Sequence, residues 1–205
     1  MKFLGRFPVP MSIFIIACFA TALWAVTHYF ESTIRPLQEQ ARRAHIEGEI
    51  KAADSLLQRK RYDTAAQEYR FILDAYGGEL LERDKGHLHD GMGRSHFGLS
   101  TRQDQEKNLN LAIENFQEAL LYRTPDLSPK LYSATWKRLG QTYETLGVHL
   151  ESEDDLATAI EAYQKALSLQ AADTDPEGYA MTKALVGGAY RELYAFSREK
   201  QHSAL

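Results

Sequence analysis

The chain has 205 residues, of which 44% are hydrophobic and 25% are charged, and its formal net charge at pH 7 is -4. This composition is typical of a globular protein and excludes a disordered chain. Because no excess of basic residues is present to neutralise phosphates, we do not expect nucleic acid as a partner. The single cysteine, Cys18, excludes an intrachain disulfide and a zinc site built from several cysteines, and it leaves the redox compartment open.

An uncharged segment, residues 11–30, follows a short basic leader, residues 1–10. A helix of about 20 apolar residues crosses a hydrocarbon core of about 30 Å, so the sequence predicts a transmembrane anchor that contacts the lipid bilayer through residues 11–30. Trp24, Tyr29 and Phe30 lie toward the far end of the segment, where aromatic side chains favour the membrane interface.

Two other interpretations of this segment stay open. Residues 20–22, Ala-Thr-Ala, resemble a signal-peptide cleavage site, and residues 15–18, Ile-Ile-Ala-Cys, resemble the bacterial lipobox, in which the cysteine is lipidated. The apolar run continues beyond both motifs, where a lipoprotein would have a polar tether and a cleaved protein a polar new terminus. This continuation favours an uncleaved anchor.

The charges that flank the anchor nearly balance, because Lys2 and Arg6 precede it and Arg35, Arg42 and Arg43 follow it. A short positive leader usually stays inside while the following domain crosses the membrane. We therefore expect a single-pass anchor in a bacterial inner membrane, with the soluble domain outside the cytoplasm. In a mitochondrial membrane the domain would face the cytosol instead.

The rest of the chain carries an internal repeat with a spacing of 47 residues. Residues 108–146 align with residues 155–193 with fourteen identities, and a fainter copy lies one step earlier. The identical pairs are Leu109/Leu156, Ala112/Ala159, Ile113/Ile160, Glu114/Glu161, Gln117/Gln164, Ala119/Ala166, Leu120/Leu167, Asp126/Asp173, Pro129/Pro176, Tyr132/Tyr179, Thr135/Thr182, Gly140/Gly187, Tyr143/Tyr190 and Leu146/Leu193. Such self-similarity indicates an α-solenoid, in which each unit buries its apolar face on the next.

Helical periodicity predicts an all-α fold with about seven helices after the anchor. The predicted spans are 38–60, 62–76, 80–102, 108–122, 129–150, 155–170 and 176–196. Paired in order, they give three long repeats and a closing helix, which together form a solenoid over residues 38–196. We expect residues 31–37 to be a juxtamembrane linker and residues 197–205 a frayed tail.

The repeat has a signature. Its strongest copy contains Trp136, Leu139, Gly140, Tyr143, Ala159, Tyr163 and Ala166, and its weaker copies contain Ala65, Tyr69, Gly93, His96, Ala112, Phe116, Gly187 and Tyr190. The strongest copy resembles the tetratricopeptide repeat (TPR), whose pattern is W-x2-L-G-x2-Y followed by A-x3-F. The resemblance implies that these residues pack the repeats together. The family's unit has about 34 residues, and the additional residues here fall at the helix joints.

The resemblance also implies a groove, lined by the first helices of the repeats, that holds a peptide of a partner protein. Carried over position by position, the groove residues are Asp90, Arg94, Phe97, Lys137, Gln141, Glu144 and Arg191. The alternative is that these residues belong to solvated helix faces. The basic and asparagine residues with which some TPR proteins bind chaperone tails are not reproduced, so we do not expect that ligand.

No motif indicates catalysis, because the sequence has no glycine-rich phosphate loop, nucleophile elbow or HExxH motif. We expect no enzyme, cofactor or small-molecule substrate. We also expect no metal, because His87 and His89, two residues apart on a helix, point to different sides. His96 stands at a packing position, where a hydrogen-bonded core histidine is expected.

The expected function is that of a membrane-anchored scaffold, adaptor or assembly subunit that binds one or more proteins, such as subunits of a membrane complex. One alternative is a permanent structural subunit held mainly through its transmembrane helix. The other is a membrane-attached lipoprotein with TPR repeats in secretion or envelope biogenesis. Both alternatives keep the chain at a membrane.

Overall fold

The computed structural model describes residues 11–170 and 175–203, with side chains described from Phe14 onward except at residues 200 and 203. Throughout these residues every regular element is a helix and no strand occurs, which confirms the predicted all-α fold class. The chain divides into two compact units, with the boundary between Gly48 and Glu49.

The N-terminal unit is built from one long helical stretch. Helix α1 spans Met11–Tyr29, a π-helical turn spans Phe30–Ile34, and α2 begins at Arg35 and ends at Gln58, within the second unit. Pro36 lacks a backbone N–H and its ring crowds the carbonyl four residues earlier, so a wider turn before it relieves the crowding. The predicted linker at residues 31–37 is therefore helical.

One helix at the N-terminal end of the described chain is long and apolar enough to cross a membrane. Its large apolar side chains are exposed, including Phe14, Phe19 and Trp24, each about two-thirds exposed or more. A core helix of similar composition would bury such side chains against its own protein.

The second unit contains the remaining helices. They are α3 (Tyr62–Tyr76), α4 (Glu82–Ser100), α5 (Gln105–Tyr122), α6 (Pro129–Leu150), α7 (Glu153–Ser168) and α8 (Pro176–Ser203). The predicted bounds of α3 and α6 coincide with those of the structure. Helix α8 is longer than predicted, because it continues past Phe196 to Ser203 through residues that favour helix and include neither glycine nor proline. The predicted tail is therefore helical as far as Ser203.

From α3 to α8 each helix packs on the next one along the chain, and α6 also contacts α8. One core cluster joins α5 and α6 and consists of Leu109, Ala112, Ile113, Phe116, Leu139 and Leu146. A second joins α7 and α8 and consists of Ala159, Ile160, Tyr163 and Ala189. Tyr143 of α6 packs against both clusters, so α6 connects the two halves of this core.

The 47-residue step reappears in the structure as a repeated hydrogen bond. The side-chain amide of Gln117 on α5 donates to the hydroxyl of Tyr143 on α6 over 3.3 Å. One step later, Gln164 on α7 donates to Tyr190 on α8 over 3.2 Å. Helix α8 therefore lies on α7 in the way that α6 lies on α5.

A second repeated contact seats an aromatic ring against a glycine. The ring of Phe116 on α5 lies against Gly93 of α4, and the ring of Tyr163 on α7 lies against Gly140 of α6. A Cβ atom at either glycine would lie 2.7 Å from the ring, closer than any side chain allows. We call these two contacts the glycine sockets. At Gly187, one step after Gly140, the described chain places no atom within 4 Å of the same point.

Gly140→Ala and Gly187→Ala should have opposite effects on stability. The first should lower the free energy of unfolding by about 1–3 kcal/mol, because its Cβ overlaps the fully buried ring of Tyr163. The second should raise that free energy by up to about 1 kcal/mol, since alanine favours helix and the site is open. Denaturant unfolding of the full chain in detergent, followed by circular dichroism, measures both, and equal effects would contradict the sockets.

Candidate functional site

A buried carboxylate on α4 is held between two arginine side chains. One oxygen of Asp90, Oδ1, lies 2.9 Å from Nη1 of Arg123 and 2.9 Å from Nη1 of Arg138. Arg123 is itself buried and also donates to the hydroxyl of Thr135 over 2.7 Å. Two guanidinium groups thus share one carboxylate, which leaves an excess of positive charge at this point.

The sequence predicts Asp90 on the groove surface, whereas the structure buries it to 3% exposure. Asp90 lies one helical turn after Gly86, whose backbone packs against the side chains of Tyr122 and Arg123. Residues four apart share one face of a helix, so Asp90 faces α5 and not the solvent. Its carboxylate is an internal counter-ion for the two arginines.

A cavity of about 360 Å³ opens beside this network, and we call it the α2–α4–α6 pocket. It is lined by Leu57, Gln58, Lys60, Tyr62, Arg94, Phe97, Gly98, Phe116, Arg138 and Gln141. Three of the residues predicted for the groove therefore lie together here, namely Arg94, Phe97 and Gln141. None of the lining residues in the described part of the chain is acidic.

The cations of the pocket are Lys60, Arg94 and Arg138. Burial lowers the pKa of the Arg138 guanidinium, and repulsion from Arg94 and Arg123 acts in the same direction, while Asp90 opposes both. The guanidinium stays charged, because an arginine side chain is not deprotonated in proteins. A carboxylate that entered the pocket would relieve this repulsion and replace the lost hydration.

The other lining groups of the pocket are mainly apolar or aromatic. Tyr62, Phe97 and Phe116 contribute rings, and Phe116 is also the ring of the first glycine socket. Arg102 lies over the ring of Tyr62, 4.9 Å from its centroid. The pocket thus combines positive charge with apolar surface, an arrangement suited to a chain segment that has a carboxylate next to an apolar side chain.

The remaining predicted groove residues do not line this pocket. Lys137 Nζ lies 4.0 Å from the sulfur of Met181 on α8. Glu144 accepts a hydrogen bond of 2.6 Å from the hydroxyl of Tyr163. Arg191 is exposed on α8, and its guanidinium and the Glu144 carboxylate both lie near Gly188. The seven residues therefore belong to two places, the pocket and the contact of α6 with α8.

Most of the predicted packing residues lie in the core. Those that are buried are Ala65, Tyr69, Gly93, Ala112, Phe116, Leu139, Gly140, Ala159, Tyr163 and Ala166. His96, Trp136 and Tyr143 are partly buried. Gly187 and Tyr190 are exposed, the latter to 50%, because no described helix covers that side of α8. These two residues lie outside the core, although the Tyr190 hydroxyl accepts a hydrogen bond from Gln164 of α7.

The histidines singled out in the sequence make separate contacts. His87 Nε2 lies 2.8 Å from Oδ1 of Asp54, which also accepts a hydrogen bond of 2.7 Å from the Tyr69 hydroxyl. Burial opposes ionisation of Asp54, but these two hydrogen bonds outweigh it and hold the pKa of the carboxyl below its ordinary value. His89 stacks on Tyr122. Within residues 11–170 and 175–203, no three metal-ligating side chains cluster.

Sequence reasoning missed several residues of the site. Arg138 follows the predicted groove residue Lys137 directly, and helical phase alone did not show that it reaches the pocket. Lys60 lies in the turn between α2 and α3, and Tyr62 is the first residue of α3, so both are outside the first helices of the repeats, from which the groove was predicted.

Asp90→Asn should destabilise the protein by about 3–5 kcal/mol, because it leaves two arginine side chains without their shared counter-ion. The matched control is Asp74→Asn, which changes an exposed carboxylate on α3 and should stay within about 0.5 kcal/mol of the wild type. Denaturant midpoints of the full chain in detergent compare the two. Similar midpoints for both variants would show that the buried network adds no stability.

The stability should also depend on pH through His89 and His96. Burial lowers the pKa of both imidazoles below the ordinary value of about 6.5, so the folded state binds fewer protons than the unfolded state. Their contribution is complete above about pH 6.5 and is lost as the pH falls from that value through the lower pKa of the folded state. His89→Phe combined with His96→Gln should reduce the loss of unfolding free energy between pH 7 and 5.5.

The control for this pH dependence is His149→Gln, which replaces an exposed histidine at the end of α6. It should leave the slope of unfolding free energy against pH as in the wild type. An unchanged slope in the double variant would contradict the assignment to His89 and His96.

No protein-family model matches the chain, and a search among curated proteins finds no similar sequence. The functional conclusion therefore depends on the geometry of the molecule. The two features that carry it are an exposed apolar N-terminal helix and a cation-lined pocket beside a buried ion-pair network.

Proposed function

We propose that this chain is a membrane-anchored scaffold or assembly subunit whose α2–α4–α6 pocket binds an acidic segment of a partner protein. The observation that carries the proposal is the composition of the pocket, which combines three cations and three aromatic rings with no acidic residue in its described lining. An acidic segment with an apolar side chain supplies the complementary charge and surface.

The repeat supports a TPR-like solenoid as the framework of this pocket. Consecutive helices pack in chain order, and both the glutamine–tyrosine hydrogen bond and the glycine socket recur with the 47-residue step. In a TPR-like solenoid, the first helix of each repeat lies beside the first helix of the next repeat, and the side chains of these helices line a common groove. Most of the pocket lining comes from α2, α4 and α6, the helices that the TPR resemblance assigns to that role, and Lys60, Tyr62 of α3 and Phe116 of α5 complete it.

The N-terminal helix supports the proposed location. Its exposed apolar side chains fit a single-pass anchor. We propose that this anchor lies in a bacterial inner membrane, with the soluble unit outside the cytoplasm, because a short positive leader usually stays inside. An anchor confines the search for a partner to the membrane surface and raises the effective concentration of the pocket there. The expected partners are subunits of a membrane complex.

Recovery of partners from gently solubilised membranes tests the proposal. Arg94→Glu reverses an exposed charge in the pocket and should remove proteins that co-purify with the wild type. Arg70→Glu makes the same change on α3, outside the pocket, and should retain them. Identical sets of partners for the wild type and Arg94→Glu would contradict the proposal.

A second candidate function is a permanent structural subunit held through the membrane helix, and the exposed side chains of α1 favour it. Under that alternative, alanine at Phe14, Phe19 and Trp24 releases the chain from its complex, whereas Arg94→Glu does not. Mass spectrometry of the co-purified proteins from both variants distinguishes the two functions.

A further inference from the structure

The outer face of α8 repeats a packing surface that is covered elsewhere in the chain. On α6, the ring of Tyr163 from α7 covers Gly140. One step later, Gly187 has no described atom within 4 Å of the point where a Cβ would lie. Because the bond from Gln164 to Tyr190 matches the bond from Gln117 to Tyr143, α8 is oriented on α7 as α6 is on α5. Gly187 is therefore an open copy of a glycine socket.

The surroundings of this open socket are aromatic and small. Tyr190 is 50% exposed and Tyr194 is 70% exposed. Ala184 and Ala180 are also exposed, one and two turns before Gly187. Helical spacing places these residues on one side of α8 together with Gly187. Large exposed rings beside an uncovered glycine mark a surface that fits another protein element.

A tight hairpin cannot cover this face in the way that α7 covers α6. Where α6 turns into α7, a Cβ on Gly147 would lie 2.9 Å from the Leu156 side chain and 3.1 Å from the Ser152 carbonyl oxygen. The equivalent residue on α8 is Tyr194, whose side chain excludes that turn. Helix α8 also continues to Ser203, past the equivalent of the end of α6. These two features exclude a tight hairpin as the source of a helix over Gly187.

The charge of this face of α8 indicates which kind of molecule would bind there. Lys183, Arg191 and Arg198 are exposed and, by helical phase, lie on the same side of α8 as Gly187. Glu192 and Glu199 lie toward the opposite sides of the helix. A second copy of α8 would bring these cations against one another, whereas an acidic helix would neutralise them.

We infer that this α8 face docks an acidic amphipathic helix of a different protein, with an aromatic side chain seated on Gly187. The contact of Tyr163 with Gly140 indicates which residues such a helix needs. On α7, the ring of Tyr163 is flanked by Ala159 and Ala166, both fully buried, which permit the close approach. The partner helix therefore carries an aromatic residue with a small residue about one turn away on either side. This surface is separate from the α2–α4–α6 pocket.

The chain itself supplies the probe for this site, because Glu153–Ser168 of α7 is an acidic helix of the required pattern. A fluorescently labelled peptide of this sequence, capped at both ends, should bind the full chain in detergent and saturate in an anisotropy titration. The same peptide with alanine in place of Tyr163 should bind at least tenfold more weakly. Failure of the unaltered peptide to bind the wild type would overturn the inference.

Variants of the chain locate the binding. Gly187→Leu fills the open socket and Arg191→Glu reverses a charge beside it, and each should weaken peptide binding at least tenfold. Ala157→Leu, at an exposed position on α7, is the matched control and should leave binding unchanged. Arg94→Glu should also leave it unchanged, because that residue lies in the pocket.

Two results would contradict the proposed docking on α8 without contradicting the proposed binding in the α2–α4–α6 pocket. Loss of peptide binding in Arg94→Glu alone would place the acidic peptide in the α2–α4–α6 pocket. A wild type that sediments as a dimer, with Gly187→Leu monomeric, would make a second copy the occupant of the α8 face.

Discussion

At four glycines of the described chain, helices approach so closely that an aromatic ring lies against the backbone of its neighbour, and two of these contacts are the glycine sockets. Gly93 receives Phe116 and Gly140 receives Tyr163, and neither position leaves room for a side chain. The two sockets set the distance between α4 and α5 and between α6 and α7. They lie 47 residues apart, which is the period of the sequence repeat. Phe116 shows the connection to the proposed site, because its ring fills the first socket and also forms part of the α2–α4–α6 pocket.

The buried ion pairs connect helices that the glycine sockets also hold together. Asp90 joins α4 to the end of α5 and to α6, since its carboxylate bonds to both Arg123 and Arg138. Arg138 belongs to the network and to the pocket, so the surplus positive charge of the network is presented where a partner would enter. A single set of arginine contacts thus connects three helices and contributes to the positive charge of the pocket.

Helical periodicity was sufficient to predict the all-α fold class and the bounds of α3 and α6, because apolar spacing and helix-ending residues are local properties. It also identified Gly140 and Tyr163 as packing residues. It did not reveal that Asp90 is buried, since a charged residue at helical spacing usually faces water and its partners Arg123 and Arg138 are distant in sequence. Nor did it show that Gly187 is uncovered, because identity between repeats does not say which copies have a neighbour.

A double-mutant cycle between Gly140 and Tyr163 tests the central contact most directly. If the ring is seated on the glycine, Gly140→Ala should cost much less stability once Tyr163→Leu has removed the ring, with a coupling free energy of about 1 kcal/mol or more. The same cycle with Gly187→Ala in place of Gly140→Ala should be additive. Unfolding free energies that add for both pairs within about 0.5 kcal/mol would contradict the account.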